Sequence, residues 1–133
     1  MRTMFVSVIA ALLLAALPVG AQKAPQTATQ FYMEYHDAWV KAKSMDTLLP
    51  YMDKVSRGQY DATPKDQRGP MFQMMKGMGG QLTNVKVAKE TKKGDGYMLD
   101  LTATGPDKKA ATGSAEVIME GGAMKLKSES WKM

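Results

Sequence analysis

The chain has 133 residues, a formal net charge of +5, thirteen methionines and no cysteine. This length suits a single domain, and without cysteine a disulfide-stabilised scaffold is excluded, so packing alone must hold the core. The lysines are scattered rather than gathered into a basic stripe, so we expect no nucleic-acid partner.

The first 21 residues have the features of a secretory signal peptide. Arg2 supplies a positive charge, residues 5–17 are almost entirely apolar, and the small residues Val19 and Ala21 precede a cleavage point. The apolar run is short for a membrane-spanning helix and lacks a basic flank after it, which disfavours a membrane anchor. We therefore predict a periplasmic or secreted protein with no transmembrane helix after cleavage. The chain divides into a signal peptide over 1–21, a leader over 22–26 and one domain over 27–133.

The domain is predicted to begin with an amphipathic helix over residues 27–43. Thr27 is a suitable N-cap, and Gln30 lies three positions further on, as in a capping box. At about 100° per residue, one stripe of this helix is apolar and mostly aromatic. Its members are Ala28, Phe31, Tyr32, Tyr35, Trp39 and Ala42.

Two further helices are predicted before the strands. Asp46 is placed to cap the second helix, which we expect to continue to about Tyr60. Thr63 followed by Pro64 is typical of a helix start, so a third helix should begin there and end at Gly79-Gly80. A proline inside this third helix, at position 70, is expected to kink or split it.

The third helix carries four methionines at helical spacing. Met71, Met74, Met75 and Met78 fall on one stripe. Thioether sulfur is a soft ligand that suits Cu(I), so a copper site is one interpretation. Core packing is the simpler one, because methionine fills irregular gaps. We therefore predict a core role for this stripe and expect neither a metal nor a cofactor.

From residue 82 the apolar period changes from about 3.6 to 2, which predicts strands. Glycine-rich turns separate them, as in consecutive hairpins. The predicted strands are 82–91, 96–104, 110–120 and 123–132. The sequence therefore predicts an α+β fold, in which three N-terminal helices pack on one face of a curved four-stranded antiparallel meander.

Alternation of side chains predicts which residues face the helices. A three-residue loop, Gly94-Asp95-Gly96 with a left-handed Gly96, would place Val85 and Val87 on the same face as Leu99 and Leu101. The polar residues predicted on that inner face are Lys89, Thr91, Ser128 and Ser130. The acids of the strands are predicted on the outer face: Glu90, Asp100, Glu116 and Glu129.

Trp131 conflicts with this alternation, because strict parity places it on the outer face. A β-bulge near Ser128 would turn it inward, and we favour that interpretation. The alternative is that Trp131 covers Ile118 from outside.

This order of elements resembles the nuclear transport factor 2-like superfamily, or cystatin-like cone. The local features are Ala28-x-x-Phe31-Tyr32 and the closing Gly121-Gly122-Ala123-Met124-Lys125-Leu126 … Glu129-Ser130-Trp131-Lys132. The resemblance implies a curved sheet that wraps the first helix around a cone-shaped pocket. The superfamily includes ketosteroid isomerases, epoxide hydrolases and polyketide cyclases, and the chain looks most like its small exported members without an assigned activity.

We predict a small exported binding or interaction domain with a hydrophobic, aromatic-lined pocket for an apolar small molecule. The residues expected to line it are Tyr32, Tyr35, His36, Trp39, Tyr97, Leu99 and Val117. One alternative is a homodimeric structural protein with a filled core. Another is an isomerase or cyclase, which needs an inward carboxylate. Because no predicted inner-face residue is acidic, we predict no catalytic residue, and a lone His36 does not make a metal site.

Overall fold

The computed structural model describes residues 26–133. The predicted signal peptide and most of the predicted leader therefore lie outside the described residues. The helices are α1 (Ala28–Lys41), a 3₁₀ helix (Met45–Tyr51), α2 (Lys54–Ala62) and α3 (Lys65–Gly79). The strands are β1 (Thr83–Lys93), β2 (Gly96–Thr104), β3 (Ala110–Glu120) and β4 (Ala123–Lys132). They form one curved antiparallel sheet in the order β1-β2-β3-β4, which confirms the predicted α+β fold.

The predicted capping box starts α1. The backbone N–H of Gln30 donates to Thr27 Oγ1 at 3.1 Å, and the Thr27 N–H donates back to Gln30 Oε1 at 3.0 Å. Two donors that the helix start leaves free are satisfied in this way. The aromatic stripe then turns Phe31 and Tyr32 into the core, where both are buried.

The prediction of one helix from Asp46 to Tyr60 is wrong, because the chain crosses the edge of the sheet in between. Asp53 donates its N–H to the carbonyl of Leu126 on β4 at 3.3 Å, which holds this part of the chain extended. Its buried carboxylate then accepts from the Ser56 N–H at 3.0 Å and caps α2. Asp46 caps nothing and instead accepts from the Tyr60 hydroxyl at 2.8 Å.

The third helix begins later than predicted and is not interrupted. Thr63 ends α2, and its hydroxyl donates to the carbonyl of Gln59 at 2.9 Å, so it does not cap α3. Pro70 lies inside α3 without splitting it. The helix stops at Gly80, as the Gly79-Gly80 pair predicts.

In the first hairpin, Val87 lies on the predicted face, but the turn and the register differ from the prediction. Its turn has two residues, Gly94-Asp95, and the left-handed position is Gly94, with φ +58°, rather than Gly96. A β-bulge at Ala88 corrects the register, so Val87 still pairs with Leu101. Beyond that bulge the faces are exchanged relative to the prediction. Lys89 and Thr91 face outward, whereas Glu90 is on the inner face opposite Leu99.

A second β-bulge, at Lys127 in β4, corrects the last strand. It brings Trp131 to the inner face opposite Gly113, which confirms the favoured interpretation of that residue. The same shift moves Ser128 and Ser130 to the outer face. Glu129 turns inward, opposite the buried Ala115, so the prediction of an acid-free inner face is wrong.

Two clusters of buried residues hold the domain together. The first core lies between α1 and the sheet and includes Phe31, Tyr32, Leu99, Leu101 and Val117. The second core lies among the helices and consists of Ala42, Met45, Leu48, Tyr60 and Phe72. Trp131 packs against the first core, and Trp39 packs against the second.

Candidate functional site

A wide groove opens between α1 and the end of the sheet that carries the two glycine turns. Its volume is about 1580 Å³. Its apolar lining comes from α1, from the end of the 3₁₀ helix and from the turn-proximal parts of β2, β3 and β4. These residues are Phe31, Met33, Pro50, Tyr51, Tyr97, Met119 and Met124.

Aromatic packing holds Tyr51 at this groove. Its ring centroid lies 5.9 Å from that of Phe31 and 5.9 Å from that of Tyr35, both on α1. Tilted and edge-on arrangements of this kind are favourable for aromatic pairs. Tyr97 is placed independently, by pairing with Val117 on β3 and with Lys92 on β1. Helix and sheet thus each contribute an aromatic residue to the lining.

Charges of both signs surround the apolar lining. Glu34 and Asp37 lie on the α1 side, where Asp37 pairs with Lys41 at 2.8 Å. Lys92, Asp95 and Lys125 lie on the sheet side, and Lys125 Nζ donates to the Pro50 carbonyl at 2.7 Å. The groove therefore offers an apolar floor with acidic groups on the α1 side and groups of both signs on the sheet side.

The structure brings only one predicted pocket residue to this groove, namely Tyr97. Tyr32, Leu99 and Val117 have no exposed surface, because α1 lies directly on the sheet where the pocket is predicted. Trp39 packs in the second core, with its ring centroid 5.9 Å from that of Phe72. The two remaining residues, Tyr35 and His36, are half-buried beside the first core.

The inward Glu129 forms a polar cluster with α1. Trp131 Nε1 donates to Glu129 Oε1 at 3.0 Å. Burial and the nearby Glu129 carboxylate raise the pKa of both Tyr32 and Tyr35 above the usual value. Burial lowers the pKa of His36, although the charges of Glu129 and Asp37 oppose that shift. The Tyr32 hydroxyl, also buried, has no hydrogen-bond partner among residues 26–133.

These shifts favour the uncharged forms of three side chains, namely the neutral imidazole of His36 and the protonated phenols of Tyr32 and Tyr35. Glu129 is itself exposed, and the hydrogen bond it accepts comes from Trp131 and not from the buried Tyr32 hydroxyl. Neither Glu129 nor His36 lines the groove described above, so this polar cluster and the apolar groove are separate features.

Sequence reasoning missed Glu129, although a signal for it was present. The bulge predicted near Ser128 to turn Trp131 inward exchanges the faces of every residue that follows it. Glu129 lies between the two, so it must change face together with Trp131. Glu90 carried no comparable signal, because no aromatic residue follows the Ala88 bulge in β1.

Glu90 has a structural role at the start of α1. Its Oε1 accepts from the Thr29 N–H at 2.7 Å and from the Thr29 hydroxyl at 3.0 Å. A carboxylate at this position accepts a hydrogen bond from a free N–H, and its negative charge is attracted to the positive end of the helix dipole. This contact ties the first helix to the edge strand β1.

Within residues 26–133, no three His, Cys, Asp or Glu side chains are grouped as metal ligands. None of the helices over the same residues is long and apolar enough to cross a membrane. Comparisons of the chain with models of known protein families, with curated proteins and with solved structures give no match.

Proposed function

We propose that this chain is a small exported binding domain whose groove holds the apolar or aromatic body of a small molecule. The observation that supports this proposal is the aromatic and thioether lining of the groove, contributed by both α1 and the sheet. Ligand sites in proteins are typically concave and mostly apolar, with a few polar groups that orient the ligand.

The exposure of two methionines supports the same proposal. Met33 on α1 is 37% exposed, and Met119 at the end of β3 is 41% exposed. Both line the groove, so apolar surface remains open to solvent there. Methionine adapts its shape to different partners, and exposed apolar surface gathered in a groove is typical of a ligand-binding site.

Binding of a neutral fluorescent probe, N-phenylnaphthylamine, tests the proposed groove. Met119→Glu places a charge on the apolar lining, so the dissociation constant should rise about tenfold. Val55→Glu is the matched control, because Val55 is also an exposed apolar residue but lies on α2 outside the groove. Equal probe affinity for the two variants and the unmodified chain would overturn the proposal. Near-UV circular dichroism confirms that each variant keeps its packed core.

We also propose that the chain is exported and belongs to the nuclear transport factor 2-like superfamily. The short apolar segment over 5–17 supports export, and the helices packed on one face of a curved meander support the superfamily. N-terminal sequencing of protein from the exporting cell should begin at Gln22. A chain that retains Met1 would contradict the export proposal.

A second candidate function is enzymatic proton transfer, and the inward Glu129 is the observation that favours it. An exposed carboxylate near the half-buried phenol of Tyr35 offers the base and the acid that abstraction of a proton next to a carbonyl requires. Deuterium exchange into a panel of cyclic ketones, followed by NMR, tests this. Exchange that depends on the protein and is lost in Glu129→Gln would support it. Exchange at the same rate with and without protein would exclude it for those ketones.

A further inference from the structure

The methionine stripe of α3 is divided between core and solvent. Met71 and Met75 are half-buried and pack against the second core. Met74 and Met78 are 63% and 60% exposed. Core packing therefore explains two of these four thioethers, whereas Met74 and Met78 are largely exposed and do not pack against the second core.

Helix geometry allows thioethers from this stripe to converge. Side chains three and four positions apart on a helix have Cβ atoms about 5–6 Å apart. Met74 is related in this way to Met71 and to Met78, and so is Met75. Because methionine is unbranched and has three rotatable side-chain bonds, sulfurs at this spacing can approach one another. One turn of α3 can thus present three sulfurs to one small ion.

The end of α3 carries a partial charge that attracts cations, although Lys76 in the same turn keeps its own positive charge. The stripe runs into the last turn of α3, where free carbonyl groups give the helix end a partial negative charge. The nearby cations are held elsewhere. Lys76 Nζ donates to the carbonyls of Trp39 and Val40 at 2.7 and 3.0 Å, and Arg68 Nε donates to the Thr63 carbonyl at 2.9 Å.

We propose that Met71, Met74, Met75 and Met78 form a binding site for one Cu(I) ion. Uncharged thioether sulfur is a soft ligand, which suits Cu(I) and disfavours the hard cations Mg²⁺ and Ca²⁺. Three sulfurs complete the site: Met74 and Met75 with either Met71 or Met78. The site is independent of the groove, since none of these four residues lines it.

Anaerobic titration with Cu(I), in competition with the chromophoric ligand bicinchoninate, tests the site in the mature protein. The unmodified chain should take up one equivalent. Met74→Leu/Met78→Leu should weaken Cu(I) binding at least about tenfold, because Met74 is a ligand whichever residue supplies the third sulfur, whereas leucine preserves volume and helix propensity. The matched control is Met33→Leu/Met119→Leu, which removes two exposed methionines outside α3 and should bind as the unmodified chain does.

Failure to bind Cu(I), or equal affinities of the two double variants, would overturn the proposal. A second measurement uses the unmodified chain and Ag(I), a diamagnetic substitute for Cu(I). The ε-methyl NMR signals of the α3 methionines should shift, while that of Met33 stays in place. Equal shifts of all methionine signals would also overturn it, since they indicate non-specific thioether binding.

Discussion

The two cores of this domain differ in how well they exclude water. In the first core, Tyr32, Leu99 and Val117 have no exposed surface, and residues far apart in sequence are joined by strand pairing. In the second core Leu48 is the one large side chain exposed by less than 2%, and the helices around it carry exposed Val55, Met74 and Met78. The comparison indicates that the sheet carries global stability and that the helical layer opens more easily.

Truncation of the first core tests this difference with the largest expected effect. Leu101→Ala should lower the free energy of unfolding by about 3 kcal/mol, since Leu101 is 1% exposed and little can move into the cavity. Urea denaturation followed by tryptophan fluorescence measures it. Trp131 reports on the first core and Trp39 on the second, so single-tryptophan variants separate the two regions.

Phe72→Ala in the second core is the companion experiment. If the helical layer opens locally, the Trp39 signal of this variant should change at lower urea while the Trp131 signal is unaltered. In Leu101→Ala both signals should shift together. If the unfolding transitions of both tryptophans moved together in Phe72→Ala, the two cores would unfold as one unit. The helical layer would then not open separately from the sheet.

A pair of glycine substitutions extends the contrast. A Cβ at Gly96 would overlap the Val117 carbonyl oxygen, so Gly96→Ala must displace β2 from β3 and should cost about 2 kcal/mol. A Cβ added to Gly58 on α2 would point into open space. Gly58→Ala should stabilise that helix by about 0.5 to 1 kcal/mol. Melting temperatures that move in the same direction for both variants would contradict this reasoning.

The connection between α1 and the sheet should contribute less than either core. Glu90→Ala removes the acceptor for the Thr29 N–H and hydroxyl, and should cost about 1 kcal/mol in chemical denaturation. Glu34→Ala is the control, because Glu34 is an exposed acid on α1, the helix that Glu90 contacts from β1, and makes no such contact itself. A loss in Glu34→Ala as large as that in Glu90→Ala would mean that removed charge, not the cap, is responsible.

Local signals in the sequence were sufficient for most of the fold. The capping box at Thr27, the glycine pairs and the change of period at residue 82 predict α1, the end of α3 and all four strands within a few residues. The split of the second helix was not predictable from local propensity. It depends on Asp53 bonding to Leu126, which is far away in sequence and near only in the folded chain.

The candidate site was harder to predict, because single-residue bulges decide which side chains face inward. Alternation carries information over a strand only while the pairing is regular. One extra residue at Ala88 or Lys127 therefore moved Glu90 and Glu129 to the inner face. The position of the groove also depends on how closely α1 approaches Leu99 and Val117, which is a property of packing rather than of any one segment.

Removing one tyrosine hydroxyl from each core should change the stability least, and the two changes should differ in sign. Tyr32→Phe removes a buried hydroxyl without a partner, so the free energy of unfolding should stay the same or rise by up to about 1 kcal/mol. Tyr60→Phe removes the bond to Asp46 and should lower the melting temperature. Thermal melts at neutral pH measure both changes, and a loss of stability in Tyr32→Phe would mean that its hydroxyl is bonded after all.

The stability of Tyr32→Phe at alkaline pH tests whether burial of the Tyr32 hydroxyl limits the stability of the first core. Burial, and then Glu129, raises the pKa of Tyr32 in the folded chain, whereas the unfolded chain loses that proton near pH 10. The unfolded state therefore binds fewer protons above about pH 10, and the stability that Tyr32 contributes is complete below that pH and falls as the pH rises. Tyr32→Phe should reduce this alkaline loss, and Glu129→Gln should leave most of it in place because burial is the larger cause. Identical alkaline unfolding curves for Tyr32→Phe and the unmodified chain would show that ionisation of Tyr32 does not limit the stability of the first core.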